Sequence, residues 1–161
     1  MPVISYSEVL RAIGQDLEMR GMKTFDIQNE GQNVLVRCGY QGPPAPMPVS
    51  LQYTPADIDE LQMAGEQRRG QFATAQDFYT LSQTLRAIGA FVEQKKGRLL
   101  RVSNYGSMGA DVVFRVEYEM EGGERMSDAY SSSTIYDICV SMYKQRGKFS
   151  AKRDKYKRWR R

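Results

Sequence analysis

The chain has no histidine in 161 residues. That absence removes the most frequent general base and the most frequent metal ligand together. It also rules out Ser–His and Cys–His nucleophile pairs within the chain. Cysteine is scarce too: Cys38 and Cys139 stand alone, in no metal or redox spacing. Both read as reduced thiols, and the expected compartment is the cytoplasm. Cys38 shares a strand row with Val34 and Val36, so it reads as a small buried hydrophobe. No glycine-rich loop leads into a helix in the P-loop or dinucleotide pattern. Gly106-Ser107-Met108-Gly109 reads as a hairpin turn. No apolar run approaches the roughly 20 residues that span a bilayer, and Met1-Pro2-Val3-Ile4-Ser5 lacks the charged and apolar regions of a signal peptide. Glu117, Glu119 and Glu121 line one strand face; they offer too few convergent oxygens for a cation. The expectation is a non-enzymatic protein with no catalytic residue, no metal ligand and no cofactor.

What the chain does have is a copy of itself. Ser5-Tyr6-Ser7-Glu8-Val9-Leu10-Arg11-Ala12-Ile13-Gly14 returns as Thr80-Leu81-Ser82-Gln83-Thr84-Leu85-Arg86-Ala87-Ile88-Gly89. Further on, Val34-Leu35-Val36-Arg37 answers Val112-Val113-Phe114-Arg115, Tyr40 answers Tyr118, and Ile58 answers Ile135. A repeat of this kind decides the architecture before any single element does. Each unit reads as helix, three strands, helix. Ser5-x-x-Glu8 and Thr80-x-x-Gln83 are capping boxes, and the apolar residues behind them keep helical spacing. Gly21 and Gly97 stand where each first helix should stop in a left-handed cap. Period-two alternation puts Val34, Val36, Cys38 and Tyr40, and likewise Val112, Phe114, Val116, Tyr118 and Met120, on one sheet face. Thr54-Pro55 opens the closing helix of the first unit, and Ser131–Ser133 opens that of the second.

Two features break the pattern. Gly14 and Gly89 each accept about 1 kcal/mol of lost helix propensity at the same place, which points to close approach of another backbone, such as one first helix against its duplicate. Asp128 falls where the first unit has Leu51, an inward position. A core-facing carboxyl would have a raised pKa; the expectation is instead that the strand ends or slips and Asp128 reaches water.

The predicted fold class is α+β: an internally duplicated α-β-β-β-α unit forming a pseudo-two-fold body, with a basic C-terminal arm. The divisions are 1–70 and 80–147 for the units, 71–79 for a linker and 148–161 for the arm. A lobe of this size is marginal by itself, so the halves should pack together, either sheet edge to sheet edge or helices on helices. The outward residues Leu35, Arg37, Val113 and Arg115 could present an apolar–arginine pair twice to a protein partner on the sheet face.

The arm carries the functional signal. Residues 144–161 contain ten Lys or Arg and one acid, Asp154, against thirteen basic and eighteen acidic residues in the rest. Residues 144–161 are therefore +9 and the remainder −5. Lys148, Lys152, Arg153, Lys155, Lys157, Arg158, Arg160 and Arg161 can neutralise phosphates and release counterions, while Tyr156 and Trp159 can stack on bases. The partner this predicts is nucleic acid or another polyanion. An anionic membrane surface and the chain's own acidic body are the competing destinations. A protein-interaction or chaperone-like scaffold is the alternative for the body, and a small-molecule site at the pseudo-two-fold interface is a third reading, favoured by an apolar pocket between the halves. The element order is also that of double-stranded RNA-binding domains, whose second helix presents a basic N-terminus to phosphates. Here that place reads Pro55-Ala56-Asp57-Ile58-Asp59-Glu60, acid that would repel RNA, so the family is not assigned.

Overall fold

The computed structural model describes residues 5–42, 46–68, 81–108 and 111–137. In chain order they form α1 (Tyr6–Met19), β1 (Thr24–Glu30), β2 (Asn33–Gly39), β3 (Val49–Tyr53), α2 (Pro55–Arg68), α3 (Leu81–Gln94), β4 (Arg98–Met108), β5 (Asp111–Glu119) and β6 (Arg125–Ser131). The chain is helical again over 132–137. Two α-β-β-β-α units therefore follow one another, as the repeat requires.

Local chemistry sets the ends of these elements. The Ser5 hydroxyl accepts from the Glu8 amide at 3.3 Å, and the Thr54 hydroxyl accepts from the Asp57 amide at 3.2 Å while Asp57 returns a bond to the Thr54 amide at 2.9 Å. The second pair is a reciprocal box with aspartate in the glutamate role. Ser131 repeats the cap at 3.3 Å from the Thr134 amide. α1 ends on Gly21 at φ +73°. In the second unit, however, the left-handed residue is Lys96, at φ +56°, not Gly97. Gly97 is needed for a different reason: a Cβ there would lie 2.8 Å from the Tyr118 ring.

The described strands make one antiparallel sheet in the order β3-β2-β1-β4-β5-β6. The halves join edge to edge through β1 and β4, and also helix to helix through α1 and α3, so both expected modes of packing occur. The edge contact is short: Asp26, Ile27 and Gln28 stand opposite Ser103, Val102 and Arg101. Ile27 and Val102 differ by 75 in number, as do Gly14 and Gly89, so a two-fold axis passes through that central pair. On either side of it, asparagines 75 apart take over from the ladder. Asn104 accepts from the Phe25 amide and donates to the Lys23 carbonyl, both at 2.7 Å. Asn29 donates to the Leu99 carbonyl at 2.9 Å.

The helix pair follows the same rule. A Cβ on Gly14 would lie 2.8 Å from Ser82 Cα, and one on Gly89 would lie 2.6 Å from Ser7 Cα. Ser7 and Ser82 are themselves duplicates, so the close approach inferred from the two glycines is an antiparallel contact of α1 with its own copy. It brings Glu93 Oε1 to the Ser7 amide at 3.0 Å and Glu18 Oε1 to the Ser82 amide at 2.8 Å. Each first helix thus lends a carboxylate to an orphan amide at the start of the other, where the dipole favours negative charge. Burial raises the Glu18 pKa against the lowering effect of its amide donors.

The main core lies on the helix-covered face, where Phe25, Ile27, Val34, Val36, Cys38, Tyr53, Leu99, Val102, Phe114, Val116 and Tyr118 pack with Leu10, Ile13, Leu17, Leu85, Ile88 and Val92; Val113, also buried, alternates to the other face. Tyr40 does not continue this row; it falls beyond the end of β2 and is 61% exposed. The ladder also corrects the alignment of the middle strands. Val36 stands opposite Ile27, and Val116 opposite Val102, so Val36 answers Val116 and Val34 answers Phe114. The alignment read from sequence is two residues out, a slip that preserves the facing of every side chain.

Candidate functional site

Three places in the body carry chemistry. The first is the sheet face opposite the helices, where Leu35 is half-buried, Arg37 and Arg115 are exposed, and Val113 is buried. In the corrected register Leu35 answers Arg115, and Arg37 answers Glu117. The four residues share a face but do not repeat one apolar–arginine motif. Charges on this face are largely matched: Arg101 grips Asp26 with two bonds of 2.7 and 2.5 Å, Arg98 meets Glu119 at 2.6 Å, and Arg115 lies 3.7 Å from Glu117 while donating to the Ser127 hydroxyl.

The second place is Asp128. It neither ends the strand nor slips: it stands opposite Val116 on the inner row of β6. Its Oδ2 accepts from Lys95 Nζ at 2.6 Å, Tyr118 Oη at 2.8 Å and Tyr130 Oη at 3.2 Å, and the Lys95 ammonium lies 5.3 Å from the Tyr118 ring centre. The Lys95 bond leads in holding the Asp128 carboxyl below its ordinary pKa, against the opposing effect of burial. The same bond raises Lys95, and burial first, then the carboxylate charge, raise the Tyr130 phenol.

The first unit builds the same cluster from different positions. Asp16 Oδ2 accepts from Tyr53 Oη at 2.6 Å and from Arg20 Nε at 2.9 Å. Burial and that bond push the Tyr53 phenol far above its usual range, and burial raises the Cys38 thiol. Arg20 answers Lys95, Tyr53 answers Tyr130 and Cys38 answers Tyr118. The carboxylate alone has moved, from the helix (Asp16, with Leu51 on the strand) to the strand (Asp128, with Phe91 on the helix). Phe91 packs on Tyr130 with ring centres 5.2 Å apart. Asp128 is therefore the relocated partner of a structural tyrosine.

This arrangement predicts an acid limit. Asp128 has a lowered folded pKa, so its contribution to stability is present above the unfolded value of about 3.8 and is lost as pH falls below it. Asp128→Asn should be less stable than wild type at pH 7, and the difference should shrink in thermal melts between pH 5 and about pH 3. A pH-independent difference would mean that the carboxylate charge contributes nothing.

The third place is a cleft of about 340 Å³ beneath the first turn of α1, where Tyr6, Val9, Leu10 and Ile58 of the first unit face Arg98 and Leu99 of the second. It is an apolar opening at the junction of the halves. Sequence reasoning named no residue of it as a site, because its lining follows the ordinary core pattern.

Among the described residues, no group of three or more Cys, Asp or Glu is placed to hold a metal ion, and no described helix is long and apolar enough to cross a membrane. Cys139 and the arm residues Lys148, Lys152, Arg153, Lys155, Tyr156, Lys157, Arg158, Trp159, Arg160 and Arg161 lie outside the described residues. No family model, curated protein or solved structure matches the chain.

Proposed function

We propose that the protein is a non-enzymatic binding module whose basic C-terminal arm engages a polyanion, and that the polyanion is nucleic acid. The observation supporting this reading is the partition of charge. The cations of the described body are largely committed internally: Arg11 to Glu8, Arg20 to Asp16, Lys95 to Asp128, Arg98 to Glu119 and Arg101 to Asp26. The segment from residue 144 onward carries ten basic residues against Asp154 alone. An excess of nine positive charges on so short a stretch favours phosphate neutralisation with counterion release. Phe149, Tyr156 and Trp159 are interleaved with it and supply flat surfaces for bases, each stacked base worth about 1–3 kcal/mol.

Trp159 is the only tryptophan, so its emission reports on the arm directly. Titration with single-stranded and double-stranded nucleic acid should quench or shift that emission. Affinity should fall by at least about tenfold between 50 and 200 mM salt, and deleting residues 147–161 should abolish binding. A blue-shifted emission indifferent to nucleic acid, or binding that survives the deletion unchanged, would overturn the proposal. Either result would move attention to the duplicated body as a protein scaffold.

A further inference from the structure

We infer that the cleft beneath α1 is a binding site for a compact, neutral aromatic molecule that carries a hydrogen-bond donor, of the phenol or indole kind. The inference is independent of the arm. It rests on a comparison the molecule provides internally, because the second unit contains the same space already filled.

Leu10, Ile27 and Ile58 at the cleft answer Leu85, Val102 and Ile135 in the second unit, all of them buried. Two positions differ. Val34 lines the cleft where the second unit has Phe114. Leu99, opposite Tyr118, stands where the first unit's ladder has Phe25 opposite Cys38. Phe25 and Phe114 pack with ring centres 6.0 Å apart and planes 28° from parallel, and both are buried. One copy of the scaffold thus closes its interior with two phenyl rings. The other presents a valine and a leucine, and a cleft of about 340 Å³ remains open to solvent. That volume is near the lower end of ligand pockets, about 300–1,000 Å³. It suits a molecule of one or two rings, the shape that fills the equivalent space.

The polar lining narrows the class. Asn104 uses both ends of its amide, accepting from Phe25 and donating to Lys23. Its duplicate Asn29, which lines the cleft, donates to the Leu99 carbonyl but accepts from no described residue. The irregularity between Leu99 and Arg101 displaces the amide that would have matched. Asn29 is half-buried and its Oδ1 keeps contact with water, so a ligand O–H or N–H entering the cleft would take the place of that water at the acceptor. Arg98 at the mouth is already paired with Glu119 at 2.6 Å, so a carboxylate ligand would have to compete for it. A neutral donor would not.

The test uses the full-length protein, labelled with nitrogen-15 and titrated with indole, with benzene as the ring that lacks a donor. Indole should give saturable amide shifts concentrated at Gly31, Val34, Ile58 and Leu99, and benzene should bind several-fold more weakly. Val34→Phe, which copies the second unit's own solution, should weaken indole binding by at least about tenfold. Removing residues 147–161 should leave it unchanged. Shifts that fail to saturate, that scatter away from the cleft, or that persist at equal affinity in Val34→Phe would overturn the site. Equal affinity for benzene would overturn the donor requirement. Should Val34→Phe fail to fold, Leu99→Phe blocks the same space from β4, and the wild-type shift map stands as an independent check.

Discussion

Arg101→Asp is expected to be among the most destabilising single substitutions in the body. Asp26 is a carboxylate on the open sheet face whose side chain is only 7% exposed, because Arg101 covers it with two hydrogen bonds. Arg37 faces Asp26 across the β1–β2 ladder without a bond to it. Simple truncation, Arg101→Ala, removes both charge-assisted hydrogen bonds and leaves that carboxylate unpaired, with water as the replacement partner. The expected loss is about 2–4 kcal/mol, reduced from the fully buried case because Arg101 itself remains partly in water. Placing a second carboxylate there adds repulsion and should exceed the truncation. Against a typical total of about 5–15 kcal/mol, either change should lower the urea midpoint clearly.

The position of this pair explains why a swap should recover what the single change loses. Residues 26 and 101 are duplicates, 75 apart and adjacent to the axis at Ile27 and Val102. Two identical units joined along this edge would set Asp against Asp, or Arg against Arg. Divergence into one of each replaces repulsion by a bidentate pair and makes the two halves complementary. Since the sites are equivalent, Asp26→Arg combined with Arg101→Asp rebuilds the pair with its ends exchanged. The double variant should be more stable than either single variant, with a coupling energy of about 1–3 kcal/mol in a double-mutant cycle. Additive losses would show that the pair is not the coupling element between the halves.

The parts of this fold that were legible in the sequence are those written in local periodicity. The duplication, the caps at Ser5 and Thr54, the inward row of β2 and β5, and the helix contact at Gly14 and Gly89 could each be read because a residue type occurs where its local cost demands a reason. What was missed depends on pairing across distance. The two-residue slip between Val34 and Phe114 is invisible to alternation, since an even shift leaves each side chain on its face. Lys96, the residue 75 on from Gly21, takes the left-handed turn that Gly97 was expected to take, and Gly97 is instead required beneath the Tyr118 ring. Asp128 was expected to end the strand or slip its register; its place in the inner row makes sense only beside the first unit, where Asp16 on the helix contacts Tyr53, the equivalent of Tyr130. The cleft left no mark at all: it is defined by Val34 and Leu99 standing where the equivalent space has Phe114 and Phe25, and a missing ring is legible only beside the copy that has it. The arm's composition could be read, and its partner remains a proposal resting on charge.

Gly89→Leu is the second substitution with a large expected effect, and Gly89→Ala is the sharper test. An added Cβ would lie 2.6 Å from both the Cα and the amide nitrogen of Ser7 and 2.7 Å from the Tyr6 carbonyl carbon. These are backbone atoms at the first turn of α1, which cannot rotate away as a side chain could. Alanine should gain about 1 kcal/mol of helix propensity at a mid-helix glycine. Here it must also separate α1 from α3, at a cost of overpacking of about 1–3 kcal/mol. Separation also stretches the bonds from Glu93 to the Ser7 amide and from Glu18 to the Ser82 amide, each worth about 0.5–1.5 kcal/mol net. The packing losses exceed the propensity gain, so Gly89→Ala should lower stability by about 1–3 kcal/mol in urea unfolding, and Gly89→Leu by more. Gly14→Ala should cost less, because part of its contact, at 3.0 Å, is the movable end of Leu85. The double alanine variant should cost less than the sum, since one displaced helix pair makes room for both methyl groups. A Gly89→Ala protein more stable than wild type would mean that propensity governs this position and that the two helices do not meet backbone to backbone.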